Sequence, residues 1–313
     1  MVWRILMISR LLFCSQRKLK MKNNPKVLSL FSGVGGLDLG LERAGFETMF
    51  QCEWDKNAAN ILSLHWPDVP RWGDVSTLKA KDVLEYGYPD VVAWGSPCQD
   101  LSVVGSRSGL SGSKSGLFYE GMRIIRELRE ETNGKYPKVS IWENVAGALS
   151  SNKGQDFGVI LNEMVDAGAL EIEWAVLDAQ YFGVPQRRRR VFLASVFNSD
   201  SAEKCPPKIF PVGKSHEGNP TEDRFFTFYS TQGKQDRFTQ GICTTLKAVG
   251  PACIATSRMR PRKFTPVECE RLMSWPDNWT ASVSDTERYR QCGNGVVSNV
   301  AEWVGHRLRG LCV

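Results

Sequence analysis

The chain has 313 residues, 42% of them apolar and 24% charged, which suits a globular protein with a real core and room for one large domain plus a small one. Its formal charge of +6 is concentrated: Arg4, Arg10, Arg17, Lys18, Lys20, Lys22 and Lys26 stand with no acid among them, and the other 33 basic and 34 acidic residues nearly cancel. Bulk charge therefore argues for no partner, and any anion-binding surface must be local, as at Arg187 to Arg190 and around Arg258, Arg260, Arg262 and Lys263.

Residues 1–26 join a short apolar stretch, broken by Arg4 and Arg10, to a basic tail without a small-residue cleavage site, which disfavours a signal peptide or a membrane span. The tail is expected to be disordered and dispensable, with Met21 the expected true start. Nine cysteines contain no C-x-x-C pair, and only His65, His216 and His306 could complete a metal site, so neither a disulfide framework nor a metal is expected. That usage fits a reducing cytoplasm, where most cysteines act as small buried apolar side chains.

From Val27 onward, short apolar runs alternate with helical patterns, as in a largely parallel sheet covered on both faces. Val27 to Phe31 reads as a first strand. Ser32-Gly33-Val34-Gly35-Gly36-Leu37 then makes a glycine turn opening a helix to Ala44, whose first amides can receive an anionic or nucleotide-like group, an ordinary structural strand-to-helix turn being the alternative. The dinucleotide fingerprint G-x-G-x-x-G needs glycine where Asp38 stands, which disfavours a dehydrogenase. A second strand, Thr48 to Cys52, ends at Glu53 and Trp54, where an acid can accept the two hydroxyls of a ribose and an indole can stack on a purine, an exposed strand-end acid being the alternative. Gly73-Asp74-Val75 offers a carboxylate to an adenine amino group, or is a plain turn.

The run Val91 to Trp94 leads into Gly95-Ser96-Pro97-Cys98-Gln99, setting one thiol on a turn at a strand end. Val139 to Trp142 ends in Glu143-Asn144-Val145, so an acid stands at the same sheet edge, and the pair suggests covalent chemistry with proton transfer. A thiol is mostly protonated at neutral pH and needs activation, whereas a desolvated Glu143 can stay protonated and act as an acid. A structural cysteine and a salt-bridged acid are the alternatives.

Phe118, Met122, Ile125 and Leu128, then Phe157, Ile160, Leu161, Met164 and Val165, recur at helical spacing as core faces. Strands follow from Trp174 to Leu177 and from Val191 to Ser195. At the mouth of the latter, alternation in Gln186-Arg187-Arg188-Arg189-Arg190 turns Arg188 and Arg190 toward the site and leaves Arg187 and Arg189 to solvent. Residues 198–257 read as a separate small module. Thr265-Pro266-Val267-Glu268 carries a capping box, and Val297, Val300, Ala301, Val304 and Leu308 line one face of a last helix.

Together these motifs resemble the DNA (cytosine-5)-methyltransferases, which use S-adenosyl-methionine, over nearly all of residues 27–313. The matching blocks are Phe31 to Gly36, Glu53, Asp74, Pro97-Cys98-Gln99, Glu143-Asn144-Val145, Gln186-x-Arg188-x-Arg190, Thr265 to Asp277 and Gly293-Asn294-Gly295-Val296. The resemblance implies an α/β fold: a Rossmann-like methyltransferase sheet with helices on both faces and a small target-recognition domain. Residues 27–197 would bind cofactor and catalyse, 198–257 would recognise the target, and 258–313 would pack back on the catalytic domain.

The resemblance further implies that Phe31, Gly33, Gly35, Gly36, Leu37, Glu53, Trp54, Asp74, Val75, Pro97, Leu117 and Asn294 hold S-adenosyl-methionine, with no metal. Cys98 would add to carbon 6 of a cytosine flipped out of double-stranded DNA while Glu143, beside Asn144, engages ring nitrogen 3. Arg190 would hold the cytosine oxygen and Arg188 would support the nucleophile loop. Gln99 and Ser102 on that loop, and Thr245 and Leu246 in the small module, would contact DNA. Such an enzyme works as a monomer in a bacterial or phage-infected cell, in restriction-modification or as an orphan, and whether a separate restriction endonuclease accompanies it stays open.

Ser96 and Gly295 depart from the commoner family residues, and the short recognition region implies a target of few base pairs. A silent DNA-binding regulator is disfavoured by the intact Cys98, Glu143 and Arg190. Methylation of tRNA cytosine is disfavoured by the absence of that branch's Cys-Phe-Thr tripeptide.

Overall fold

The computed structural model describes residues 24–97, 116–211, 225–228, 239–240, 246, 253–256 and 262–313. Residues 1–23 of the basic tail, Cys98, Gln99, Ser102 and Thr245 lie outside the described residues. Lys26, the last residue assigned to the tail, already belongs to the first strand.

Seven strands form the main sheet: β1 (Lys26–Leu30), β2 (Glu47–Cys52), β3 (Arg71–Trp72), β4 (Val91–Trp94), β5 (Val139–Val145), β6 (Glu171–Asp178) and β7 (Arg189–Val196), in the order β3-β2-β1-β4-β5-β7-β6. Alternate residues divide between two cores. Val27, Val91, Ala93, Val139 and Ile141 enter one, while Leu28, Leu30, Val92, Trp94 and Trp142 enter the other. On the first face pack α1 (Gly36–Arg43), α2 (Lys56–His65) and, from the C-terminus, α9 (Ser298–Cys312). On the second lie α3 (Ala80–Leu84), α4 (Gly116–Glu131) and α5 (Gln155–Asp166). The remaining helices are α6 (Ser199–Glu203), α7 (Pro266–Leu272) and α8 (Asp285–Asn294).

The sheet is parallel from β3 to β5, but β7 lies antiparallel between β5 and β6. Only a short 3-10 turn, Ala179–Tyr181, and a loop join β6 to β7, too little chain for the crossover that a parallel return needs. The same pairing lengthens β5 beyond the predicted Trp142: Glu143 pairs with Phe192, Asn144 with Val191 and Val145 with Arg190. Polar residues thus continue a strand whose apolar run had ended.

α1 and α9 approach closely because Gly40 has no side chain: a Cβ there would stand 2.4 Å from both Ala301 Cβ and Ser298 O. The apolar stripe of α9 is buried as its spacing predicts. Val165 is not part of the core face of α5; it is 56% exposed, because it lies at the edge of the apolar stripe while the neighbouring Met164 and Ala167 stay buried.

Asn198 to Phe210, placed by composition in the small module, packs on the large sheet. Ser201 Oγ donates to Leu311 O (2.5 Å), the amides of Ile209 and Phe210 donate to the Glu173 carboxylate (2.6 and 3.0 Å), and both side chains are buried. Beyond them, β8 (Phe225–Phe228), β9 (Thr239–Gln240), β10 (Cys253–Thr256) and β11 (Arg262–Lys263) form a second, antiparallel sheet in the order β11-β10-β8-β9. The chain returns through α7, where Thr265 Oγ1 accepts from Glu268 N (3.2 Å) and the Glu268 carboxylate accepts from Thr265 N (2.8 Å). Among the described residues no helix is long and apolar enough to cross a membrane.

Leu41, wholly buried beneath α9, and Val165 offer a contrast in burial. In urea titrations Leu41→Ala is expected to lower the unfolding free energy by about 3 kcal/mol, and Val165→Ala by no more than about 0.5 kcal/mol.

Candidate active site

The carboxyl ends of the parallel strands meet at one edge, and β1 sits between β2 and β4, where the sheet order reverses and α/β folds open a crevice. Leaving β1, the chain turns through left-handed backbone at Phe31, Gly33 and Gly35 (φ of 55°, 55° and 81°). Ser32 N donates to Cys52 O (3.1 Å) and Gly35 N to Ser32 O (2.9 Å), which pins the turn to the end of β2.

Gly33 N donates to Glu53 Oε2 and Asp55 N to Glu53 Oε1, both at 2.7 Å. Burial pushes the Glu53 carboxyl above the usual range, and those two amides oppose it. A Cβ on Gly33 would meet nothing within 4 Å, so open space lies over the turn, and Trp54 beside it is 75% exposed. Asp74 Oδ1 accepts from Ser76 N (2.9 Å) and Ser76 Oγ (2.7 Å). Val75 and Leu37 are buried, and Leu117 packs on the core at the start of α4. This donor set fits an adenosyl nucleoside: a carboxylate with lone pairs left for vicinal hydroxyls, an accessible indole, a second carboxylate, and a turn without side chains in the way.

The C-terminal segment closes on the same turn. Trp279 Nε1 donates to Val34 O (2.9 Å), Ser298 Oγ donates to Gly36 O (2.8 Å), and a Cβ on Gly36 would stand 2.5 Å from Val296 O. Asp55 caps α2 through Ala58 N (2.8 Å) and binds Arg290 (2.7 Å), tying α8 to the residue two beyond Glu53. Asn294 ends α8 and is exposed at this edge. Beneath, Asp38 accepts from Ser29 Oγ (3.0 Å) and Gln51 Nε2 (3.1 Å), and burial pushes its pKa up to about 6.

Along the edge at β4 and β5, Asn144 Nδ2 donates to Ser96 O (2.9 Å) and Trp142 Nε1 to Ser96 Oγ (3.3 Å). Serine at position 96 thus has an indole partner, and Pro97 is exposed just beyond it. A Cβ on Gly95 would lie 3.2 Å from Glu143 Oε2, so the carboxylate rests against the start of the segment that carries Cys98. Glu143 Oε1 stands 3.2 Å from Arg190 Nε. Burial pushes the Glu143 carboxyl above the usual carboxylate range, with Arg190 and then Arg188 opposing.

Arg188 and Arg190 divide their work. Arg190 reaches Glu143, whereas the buried Arg188 donates to Gly293 O (2.8 Å), Gly295 O (2.6 Å) and Leu246 O (3.2 Å). Arg187 and Arg189 are exposed, as strand alternation predicts. Gln186 accepts from Leu246 N (3.3 Å) and donates to Leu272 O (2.8 Å). This clamp on the small module was not assigned from sequence, where Gln186 carried no signal beyond its place in the motif. Among the described residues no group of His, Cys, Asp and Glu is arranged to hold a metal ion.

Residues 25–237 and 227–309 match the family profile described as C-5 cytosine-specific DNA methylase. The chain belongs to that family. It is 32% identical over 314 residues to the type II methyltransferase M2.BsuMI of Bacillus subtilis, covering 90% of this chain and 75% of that protein. Against the type II methyltransferase M.HhaI of Haemophilus parahaemolyticus the identity is 28%, over 90% and 94% of the two chains. The crystal structure of the S. pombe Dnmt2 methyltransferase superposes with a TM-score of 0.66 at 18% identity, over 90% of this chain and 97% of that one, a likeness of fold. In this C-5 cytosine-specific methylase, the glycine turn and Glu143 thus lie along one sheet edge.

Asp38 makes that edge pH-sensitive. Its carboxyl is raised in the folded state, so its contribution is present below the ordinary carboxylate range and is lost as pH rises through about 6. Asp38→Asn is expected to gain stability relative to the parent by about 3 kcal/mol between about pH 4 and about pH 7, measured as denaturation midpoints across that range.

Proposed function

We propose that Cys98 and Glu143 carry the family reaction in this chain, methylating carbon 5 of a cytosine in a short double-stranded DNA sequence. The observation that supports this most directly is the buried Glu143 carboxyl, held by Arg190 and resting against Gly95, three residues before Cys98. A carboxyl raised by burial can donate a hydrogen bond to ring nitrogen 3 of a cytosine and draw electron density from carbon 6. The Cys98 thiolate adds to carbon 6, and the displaced electron pair makes carbon 5 nucleophilic. Arg190, beside Glu143, holds the cytosine oxygen with its remaining donors. Loss of the carbon-5 proton restores the ring and expels Cys98.

S-adenosyl-methionine, when bound, supplies the electrophilic methyl group. Glu53 would receive its ribose hydroxyls, Trp54 and Asp74 its adenine, and the Phe31 to Leu37 turn with Asn294 the remainder. Asn144 and Trp142 fix Ser96, and through it the direction in which the chain leaves toward Cys98. The target cytosine must leave the duplex, at a cost of a few kcal/mol that contacts from Gln99, Ser102, Thr245 and Leu246 offset. Arg188 and Gln186 anchor the buried Leu246, the residue that follows Thr245. We assign target recognition to residues 211–257 with a site of few base pairs. The enzyme acts as a monomer in the cytoplasm of a bacterial or phage-infected cell, with or without a separate restriction endonuclease.

Expression in cells lacking DNA methylation, followed by bisulfite sequencing, is expected to reveal 5-methylcytosine in one short context. Cys98→Ala abolishes it, and Glu143→Gln lowers kcat by at least about 100-fold. Methylation that survived Cys98→Ala, or no modified cytosine in any context with the parent chain, would refute the assignment.

A further inference from the structure

We infer that Arg123 of α4 positions the turn at Asp74 and Val75 and thereby sets the selectivity of the cofactor site for adenine over other purines. The inference rests on the reading that this site takes an adenosyl cofactor.

Asp74 to Lys79 connects the two-residue β3 to the five-residue α3. Within it Thr77 N (3.1 Å) and Thr77 Oγ1 (2.9 Å) donate to Asp74 O, Leu78 N donates to Val75 O (3.3 Å), and Trp72 Nε1 donates to Thr77 Oγ1 (2.9 Å), so these bonds close the turn on itself and leave its placement against the domain to contacts from outside. Asp74 Oδ1 is committed to Ser76, so the direction of the carboxylate follows the local backbone rather than a free rotamer. Whatever fixes the Val75 peptide also aims Asp74.

That fixture is a fork on a helix of 16 residues. Arg123 Nη2 donates to Val75 O (2.9 Å), Nη1 to Glu127 Oε1 (2.6 Å) and Nε to Glu120 Oε2 (2.6 Å). The second oxygen of Glu127 accepts from Ala80 N (3.0 Å). One helix therefore grips the segment at both ends, through Val75 O and Ala80 N. Half-exposed ion pairs of this kind add little to stability, so the value of the fork is directional. A guanidinium holds three acceptors in one plane with fixed angles, which an ammonium cannot reproduce.

An adenine amino group donates to an acceptor, whereas the carbonyl of hypoxanthine in its place donates nothing, so a correctly aimed Asp74 separates the two. Calorimetric affinities for S-adenosyl-homocysteine and its inosine counterpart test this in the full-length chain, with Arg123→Met, Arg123→Lys and Glu120→Gln as variants. The parent is expected to prefer the adenosyl ligand. Arg123→Met and Arg123→Lys should each lose about tenfold of that preference and raise KM for S-adenosyl-methionine about as much, with kcat at saturating cofactor within about twofold. Glu120→Gln should behave as the parent.

Thermal melting checks that the variants are folded, and Arg123→Lys carries the test if Arg123→Met is not. A preference unchanged in a folded Arg123 variant, or a loss of kcat at constant KM, overturns the inference and leaves the cofactor reading intact. A parent chain that binds no S-adenosyl-homocysteine overturns the cofactor reading itself.

Discussion

The close pairing of Glu143 with Arg190 depends on one topological fact, the antiparallel insertion of β7 between β5 and β6. Arg190 follows Glu143 by more than forty residues, and only the register that sets Val145 opposite Arg190 brings them within 3.2 Å. Removing a carboxyl from water raises its pKa; a guanidinium beside it lowers it again. Burial is the larger of the two effects, so the Glu143 carboxyl stands above the usual carboxylate range while Arg190 and Arg188 oppose the rise. Gly95 completes the arrangement by leaving room for the carboxylate against the chain that leads to Cys98.

The other half of the edge is assembled by long-range closure. The turn after β1 is shaped by its glycines, yet it is roofed by residues more than two hundred positions away, through Trp279 on Val34 O and Ser298 on Gly36 O. Gly40 makes that possible by letting α9 lie on α1 at backbone distance. Arg188 extends the same principle to Leu246, since one buried guanidinium holds that residue's carbonyl together with carbonyls from the segment around Asn294. Its burial is tolerable because those acceptors and the Gln186 clamp surround it.

Much of the fold was legible because its signals are local. The alternating runs of a buried sheet, the capping box at Thr265 and the stripe of α9 each depend on residues within one turn or strand, and the structure places them as expected. Signals failed where tertiary pairing overrode composition. β5 continues through Glu143 and Asn144 because β7 offers them ladder partners, and Asn198 to Phe210 joins the large domain because Glu173 and the end of α9 satisfy its backbone and hydroxyl groups. Val165 fell outside the core because a periodic pattern does not say how wide a face of the helix the sheet covers.

By itself the sequence determined which chemical groups are present and in what order: a thiol after Gly95-Ser96-Pro97, an acid after a strand, a glycine turn, and acids suited to a nucleoside. Residue identity and short spacing carry that information, since strand alternation and turn chemistry act over a few positions. The tertiary structure alone decided which of those groups meet. It sent Arg190 to Glu143 and Arg188 to the C-terminal carbonyls, although the two are separated by one residue and share a motif. It also brought Val75 O to Arg123 and Leu246 N to Gln186, pairings that no local pattern could name, because burial, register and the packing of distant segments depend on the whole chain.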